Sequence, residues 1–157
     1  MSILVCGGAG YIGAHVVRLL RQRGDRVVGV DDLSTSNAAR IGDTPLVRLD
    51  VATDEARSVL SNLMVDEDVT AVIHFSARKQ VGESVARPTW YYQQNIGGMA
   101  NVLAAMEDTG VDQMIFSSSA AVYGIPTAEV VTEDMAGHPI NPYGETKLIG
   151  EWMMADC

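Results

Sequence analysis

The sequence predicts an α/β fold in which a doubly wound parallel sheet of about five strands has helices on both faces. Short apolar runs alternate with longer amphipathic stretches along the chain, which is the pattern of repeated strand–helix units. A glycine-rich stretch directly follows the first apolar run. The 157 residues show no internal repeat or interdomain linker, and this length fits one domain. We therefore expect residues 1–157 to form a single domain.

Each predicted element follows from its local pattern. Apolar runs bounded by turn residues predict strands near 2–6, 26–31, 46–49, 70–74 and 112–117. Apolar residues at helical spacing predict helices near 11–23, 53–66, 84–109 and 142–157. We expect the polar segment 32–45 to be a connection with at most a short helix, and segment 124–140, which contains glycine, proline and acids, to be a loop.

The charge is unevenly distributed along the chain. A formal net charge of −9 argues against a nucleic-acid surface, which would show clustered Lys and Arg. Residues 1–87 hold ten basic and eleven acidic residues, a net −1, whereas residues 88–157 hold one basic and nine acidic residues, a net −8. The single cation of the second half is Lys147, and its isolation suggests that its position serves a function.

Other features indicate a cytoplasmic protein. No apolar run approaches the roughly 18 residues that a membrane span requires, and no basic leader precedes an apolar stretch and a cleavage site. Cys6 and Cys157 lie at the two ends of the chain without metal-ligand spacing. We expect both to be plain thiols, with no metal site and no disulfide.

The stretch GGAGYIG follows the first predicted strand and precedes a helix, with Gly7, Gly10 and Gly13 three residues apart. Such glycines permit a tight turn, a close approach to a pyrophosphate and packing of helix on strand. The helix N-terminus offers free N–H groups to phosphates, so we expect Tyr11 and Ile12 to lie against the cofactor too. An ordinary strand–helix turn is the alternative. The missing GK[ST] ending argues against a nucleoside triphosphate loop.

Carboxylates follow the next two predicted strands. Asp31 lies eighteen residues after Gly13, where a carboxylate can accept hydrogen bonds from an adenosine ribose and would repel a 2′-phosphate, which favours NAD over NADP. Asp32 is expected to strengthen that repulsion. Asp50 and Val51 are predicted to flank the adenine. Turn aspartates are the alternative at both places.

Tyr143 and Lys147 are four residues apart on the last predicted helix, which places them on one face. A phenol with its ordinary pKa near 10 is a poor base at neutral pH, and lowering it by about 3 units takes about 4 kcal/mol. A neighbouring ammonium would supply much of that by favouring the phenolate. Lysine can also donate to a nicotinamide ribose. An exposed helical pair is the alternative, and the glycine-rich turn argues against it.

Three serines, Ser117, Ser118 and Ser119, follow the fifth predicted strand, at the sheet edge where parallel sheets bind ligands. Ser119 is predicted to bond the reacting oxygen and to relay its proton to Tyr143. Serines at a strand end also serve as turn or cap residues, which is the interpretation favoured for Ser117.

At these residues the sequence resembles the extended short-chain dehydrogenase/reductase family, and within it the UDP-glucose 4-epimerases. The resemblance covers the stretches GGAGYIGAH, VDDLS, VIHFSARKQVGESV, PTWYYQQNIGG, FSSSAAVYG and NPYGETK. It implies a Rossmann-like fold and interconversion of UDP-glucose and UDP-galactose: Tyr143, helped by Ser119, removes the proton of the sugar 4-hydroxyl, and tightly bound NAD takes the C4 hydride. The 4-keto sugar then rotates and receives the hydride on its other face.

The resemblance also implies further site residues. Lys79 and Asn95 would contact the cofactor, with Phe75, Ser76, Ala77 and Ser117 lining its site, and Lys79, Ser119 and Tyr143 would contact the substrate. A solvated loop position for Lys79 and a backbone bond for Asn95 are the alternatives. His74 is expected to be a core histidine with its hydrogen bonds satisfied. Related dehydratases usually have an acid where this chain has Ala120 and Ala121, which favours epimerisation.

Family members are considerably longer, so we expect this chain to be an amino-terminal portion that lacks the family's last strands and substrate domain, with weak affinity for UDP-sugars. One alternative is a cofactor-binding or assembly module with little or no turnover, and another is a related UDP-sugar 4-epimerase acting on UDP-glucuronate or a UDP-pentose. A homodimer through the helices near 84–109 and 142–157 is predicted from two apolar stripes, whose alternative is packing on the sheet. The stripes are Tyr92, Ile96, Met99, Leu103 and Met106, and Leu148, Ile149, Trp152 and Met153.

Overall fold

A computed structural model describes residues 1–127 and 129–157. Five parallel strands form one sheet in the order β3-β2-β1-β4-β5, which confirms the doubly wound fold. The strand order reverses at β1, so the topological switch point lies between β1 and β4. Doubly wound sheets bind ligands at this point. The strands are β1 (Ser2–Cys6), β2 (Arg26–Asp31), β3 (Leu46–Arg48), β4 (Ala71–His74) and β5 (Met114–Phe116).

The helices complete the alternation of strands and helices. They are α1 (Tyr11–Arg23), α2 (Ala56–Asp66), α3 (Val81–Ala86), α4 (Pro88–Tyr92), α5 (Gly98–Thr109) and α6 (Pro142–Asp156). Short 3-10 turns span Ala38–Ile41 and Ala120–Tyr123. Helix α2 starts three residues later and β5 is shorter than the sequence predicts. In the part of the chain that the structure describes, no helix has the length and apolarity needed to cross a membrane.

The single helix predicted over 84–109 is wrong. The chain turns out of the helical conformation at Arg87, with φ −135° and ψ 56°, and a new helix begins at Pro88. A proline disfavours the α conformation of the residue before it, and it suits the first position of a helix because it has no N–H to leave unpaired. A π-helical turn over Gln93–Gly97 then joins α4 to α5.

Both faces of the sheet are buried, each under different helices. Ile3 and Val5 of β1 pack with α1 in one cluster, whereas Leu4 and Cys6 of the same strand pack with α2 and α5 in another. Successive side chains of a strand point to opposite faces, which explains this division. A strand covered on both faces is apolar throughout, and all of β1 is buried.

The apolar stripe predicted to form a dimer on α5 is largely core. Met99, Leu103 and Met106 are all buried within the cluster beneath α2 and α5, and Met153 of α6 packs against the same cluster. The sheet requires an apolar helix face, and this requirement accounts for these residues without a second copy.

Helix α1 starts in close contact with the glycine-rich turn. A Cβ atom at Gly13 would lie 2.1 Å from the carbonyl oxygen of Gly7 and 3.0 Å from the Cα atom of Gly8. These are backbone atoms, which cannot move aside as a flexible side chain does.

We expect Gly13→Ala to lower the free energy of unfolding by about 3 kcal/mol or more, because an added methyl group overpacks the turn. The matched control is Gly97→Ala, also in a helical segment, where an added Cβ meets nothing within 4 Å. Alanine in a helix is favoured over glycine by up to about 1 kcal/mol, so this control should be neutral or stabilising. Urea unfolding of both variants measures the difference, and equal stability would contradict the close packing.

Candidate active site

A crevice of about 310 Å³ lies at the carboxyl edge of the sheet. It brings together the glycine-rich turn, the ends of β2, β4 and β5, and the start of α6. All the residues predicted to bind a cofactor line this one crevice: Gly7, Gly10, Tyr11, Ile12, Gly13, Asp31, Asp32, Asp50, Val51, Phe75, Ser76, Ala77, Lys79, Asn95, Ser117, Tyr143 and Lys147.

The glycine-rich turn lines the middle of the crevice, because it follows β1, the central strand of the sheet. Gly7 has φ +77°, a conformation that side chains disfavour, and its N–H donates to the carbonyl of Val30 at 2.7 Å. The first hydrogen bond within α1 runs from Ala14 N–H to the Gly10 carbonyl at 3.0 Å. The N–H groups of the preceding helical residues therefore have no partner within the helix, and they can bind an anion.

Asp31 is buried at the end of β2 and is held by backbone donors. Its Oδ2 accepts from Ala9 N–H at 3.0 Å, while its Oδ1 accepts from Leu33 N–H at 2.9 Å and from the Ser36 hydroxyl at 2.5 Å. A carboxylate has about four acceptor positions, so one remains for a ribose hydroxyl. A second bond to the ribose requires the Ser36 hydroxyl to rotate away.

Asp32 is paired with an arginine in the structure. Its Oδ2 lies 2.7 Å from Nη2 of Arg78, which offsets its negative charge locally. The predicted contribution of Asp32 to repelling a 2′-phosphate stays a prediction, now for a carboxylate that is paired with Arg78. Asp32 also accepts from the N–H and hydroxyl of Ser34 at 2.9 and 2.8 Å.

Residues after β3 and residues of the π-helical turn form another part of the crevice wall. Asp50 lines the crevice with Oδ1 bound to Ala52 N–H at 2.9 Å and Oδ2 bound to the Gln94 amide at 3.2 Å. Val51 is buried beside it. An apolar side chain next to fixed carboxylate and amide groups suits the flat, polar-edged ring of adenine.

Helix α6 places the predicted catalytic pair at the other end of the crevice. The Asn141 side chain accepts from Gly144 N–H at 2.9 Å and caps the helix, and Pro142 occupies its first turn. Tyr143 in that turn and Lys147 one turn later both line the crevice. The tyrosine therefore lies in the same crevice as the glycine-rich turn, as the sequence predicts.

Lys147 is only 4% exposed. Its Nζ donates to the carbonyl of Ser117 at 2.7 Å and lies 4.7 Å from the centre of the Phe116 ring. Burial lowers the pKa of Lys147 from 10.5 to about 8, so most of the ammonium remains charged at neutral pH. One of its three hydrogens is used by Ser117, which leaves two for a ligand or for Tyr143.

The three serines have different surroundings. Ser117 and Ser118 line the crevice, and the Ser118 hydroxyl donates to Glu151. Ser119 starts the following 3-10 turn, where its hydroxyl oxygen accepts from Ala121 N–H at 3.2 Å. Ser119, predicted to be catalytic, is not among the residues that line the crevice. The cap uses its oxygen as an acceptor and leaves its hydrogen free, and donation to a substrate oxygen stays a prediction.

Asn95 holds the loop that follows β4. Its side-chain oxygen accepts from Arg78 N–H at 2.7 Å, and its amide donates to the Arg78 carbonyl at 3.0 Å and to the Thr146 hydroxyl at 3.0 Å. The alternative for Asn95 is a hydrogen bond to a neighbouring backbone group, and its side chain forms two such bonds, both with Arg78. Lys79, next along this loop, is exposed at the rim of the crevice.

His74, at the end of β4, is buried as predicted. The prediction that its hydrogen bonds are satisfied is wrong for Nδ1, which has no partner among the residues that the structure describes. Its ring stacks on Phe116 with centroids 6.0 Å apart. Burial, with a smaller effect of the Lys147 charge, lowers the pKa of His74 to about 3, so the imidazole is neutral.

Sequence reasoning missed several residues of the crevice wall. The polar run after the second strand contained a signal for three of them, because short hydroxyl side chains beside a glycine-rich turn suit phosphate and ribose. Arg78 and Gln94 gave no local signal, since their partners are far away in the chain. The missed residues are Ser34, Thr35, Ser36, Leu49, Arg78, Gln94 and Ser118.

Comparisons with known proteins agree with this geometry. A model described as the NAD dependent epimerase/dehydratase family matches residues 3–157. The chain is 44% identical to a UDP-glucose 4-epimerase of Lactobacillus helveticus over 155 residues, covering 99% of this chain and 46% of that relative. The chain spans about half the length of the curated relatives it matches.

Two solved structures have nearly the same fold. One is UDP-glucose 4-epimerase from Brucella ovis in complex with NAD, with a TM-score of 0.94 and 42% identity over 99% of this chain and 47% of that one. The other is UDP-glucose-4-epimerase from Stenotrophomonas maltophila with bound NAD and formylated UDP-arabinopyranose, with a TM-score of 0.92 and 43% identity over 99% and 48%.

The lowered pKa of Lys147 predicts a pH dependence of stability. An unfolded lysine titrates near 10.4, so between pH 8 and about 10.4 the unfolded chain binds more protons at this site than the folded chain does, and stability rises with pH. From the cited pKa of about 8, wild type should gain up to about 3 kcal/mol over Lys147→Met across this range. Urea unfolding at several pH values measures it.

The matched control is Lys79→Met, which removes a lysine at an exposed position and so measures what the loss of a solvated ammonium does to stability. A difference between wild type and Lys147→Met that does not change from pH 8 to 10.4 would show that the folded chain does not depress this pKa.

Proposed function

The chain belongs to the NAD-dependent epimerase/dehydratase family, and on that premise we propose that it supplies the cofactor site and the catalytic side chains of a UDP-glucose 4-epimerase. The proposed reaction interconverts UDP-glucose and UDP-galactose through transient oxidation at C4 of the sugar. One observation supports it above all: Tyr143 and Lys147 line the same crevice as the glycine-rich turn and Asp31.

The residues present fit NAD along the whole crevice. The unpaired N–H groups at the start of α1 suit the pyrophosphate, Asp31 has one acceptor position left for the adenosine ribose, and Lys147 has two hydrogens left at the opposite end. Relatives of known structure are complexes with NAD. Bound NAD would supply a reversible hydride acceptor.

Each catalytic side chain has a defined part in the proposed reaction. Tyr143 takes the proton of the sugar 4-hydroxyl as that oxygen becomes a carbonyl, and returns it when the hydroxyl forms again. Lys147, one turn further along α6, has two hydrogens left to bind the cofactor ribose or the Tyr143 hydroxyl. Ser119 donates a hydrogen bond to the same sugar oxygen, so that the oxygen is held while its proton leaves.

We consider two alternatives to this function. The Stenotrophomonas relative holds a UDP-pentose derivative, which keeps a related UDP-sugar 4-epimerase as a second candidate. The chain covers about half the length of its relatives, and a cofactor-binding portion with little turnover is the other candidate. A dehydratase is disfavoured because Ala120 and Ala121 supply no acid after the serines.

We also propose a cytoplasmic homodimer. Trp152 on α6 is 58% exposed, an unusual position for a large aromatic side chain and a common one in interfaces. Cys6 and Cys157 are both free thiols, which suits a reducing compartment. Sedimentation of a monomer at micromolar concentration would count against the dimer.

We expect the chain to bind NAD, and to bind NADP at least about tenfold more weakly, because the Asp31 carboxylate would face the added 2′-phosphate. A tenfold difference corresponds to about 1.4 kcal/mol, a modest amount for two negative groups in contact. Calorimetric titration with each dinucleotide measures it. Equal affinities would contradict the role of Asp31, and binding of neither would contradict the cofactor site.

We expect Tyr143→Phe to slow oxidation of UDP-galactose at least about a hundredfold, the usual contribution of a positioned acid–base group. NAD affinity should remain within about twofold, because the aromatic ring that lines the crevice is kept. The absorbance of reduced nicotinamide and the yield of UDP-glucose report the reaction.

Tyr123→Phe is the matched control, since Tyr123 ends the 3-10 turn and is not one of the residues lining the crevice. Equal loss in both variants would contradict the role of Tyr143. A wild-type chain that binds NAD but oxidises no UDP-sugar would favour the cofactor-binding portion over a complete epimerase.

A further inference from the structure

Arg78 connects two parts of the crevice wall, the segment after β2 and the π-helical turn. It lies in the loop after β4, and its guanidinium reaches the segment after β2, where Nη2 lies 2.7 Å from Asp32 Oδ2 and Nη1 donates to the Ser34 hydroxyl at 2.6 Å. On the other side Nε donates to the Gln94 side-chain oxygen at 2.9 Å. All four residues line the crevice, so this bridge lies at the proposed cofactor site and not at a remote surface.

Both the backbone and the side chain of Arg78 are held in place by neighbouring residues. Asn95 holds the Arg78 backbone through both its N–H and its carbonyl, and the guanidinium carbon lies 5.1 Å from the Trp90 ring. The Arg78 side chain is only 20% exposed. A planar guanidinium with several donors in a fixed arrangement can hold such a set of acceptors together, which a lysine cannot.

The bridge spans the end of the crevice where the adenosine is proposed to lie. Asp32 adjoins Asp31, the proposed ribose acceptor, and Gln94 also donates to Asp50 beside the proposed adenine position. The contacts of Arg78 with Asp32 and Ser34 join the loop after β4 to the segment after β2. Breaking these contacts frees the two segments from each other.

We propose that Arg78 is a clasp that retains the bound dinucleotide: its bridge to Asp32 and Ser34 must open before the adenosine end can leave. This inference rests on the proposed function, because it assumes that NAD occupies the crevice. A reaction that returns its hydride to the sugar has no need to exchange cofactor in each cycle, so slow release costs nothing in turnover. Arg78 is thus a positioning residue.

The test is a double-mutant cycle on the rate at which dinucleotide leaves. The chain, loaded with NADH, is mixed with excess NAD, and the fall in nicotinamide fluorescence gives the dissociation rate. We expect Arg78→Met and Asp32→Asn each to raise this rate about tenfold, and the double variant to be no faster than either, because both changes open the same bridge. Arg78→Lys should give an intermediate rate.

Arg87→Met is the matched control. Arg87 lies over the same Trp90 ring at 3.8 Å, but it is not among the residues lining the crevice, so its loss should leave the dissociation rate unchanged. Thermal unfolding of every variant, compared with wild type, identifies a change caused by loss of fold.

Three results would overturn the clasp. An unchanged rate in Arg78→Met would show that the bridge does not retain the ligand. A faster dissociation rate in Arg78→Met together with an unchanged rate in Asp32→Asn would mean that Arg78 binds the dinucleotide directly. Additive effects in the double variant would mean that the two residues act separately. Failure of wild type to bind NADH or NAD would instead reject the proposed function itself.

Discussion

The site depends on the divergence of the chain at the ends of β1 and β4. These two parallel strands are neighbours in the sheet, but the chain leaves β1 toward the face covered by α1 and leaves β4 toward the face covered by α5. Parallel crossovers have one hand, so this order of strands opens a gap at their carboxyl ends. The glycine-rich turn and the loop that contains Arg78 both line this gap.

Charged groups at the two ends of this gap are held by the backbone. Asp31 accepts from two N–H groups, and Lys147 donates to the carbonyl of Ser117. A buried charge requires such partners, and backbone partners on strand ends move less than side chains. The gap therefore has a carboxylate near one end and an ammonium near the other, both held by backbone groups.

Local signals in the sequence were sufficient for much of the fold and site. The glycine spacing, the aspartate after the second strand and the pair Tyr143 and Lys147 are features of short segments, and the structure places all of them in one crevice. The other features depend on contacts between residues that are far apart in the chain, which local sequence patterns do not show. Arg78 interacts with Asp32, 46 residues away in the chain, and the sheet buries Met99, although its apolar stripe alone fits a dimer equally well.

The π-helical turn between α4 and α5 connects the loop after β4 to helix α6. A π-helical turn shifts the orientation of side chains within a helix and is often found at functional sites, and here it includes Asn95. From that position one amide binds the backbone of Arg78 on one side and the Thr146 hydroxyl of α6 on the other. Thr146 in turn donates to the carbonyl of Tyr143. The loop that contains Arg78 and the helix that contains Tyr143 are therefore hydrogen-bonded to the same side chain, so a shift of either one changes the hydrogen bonds of the other.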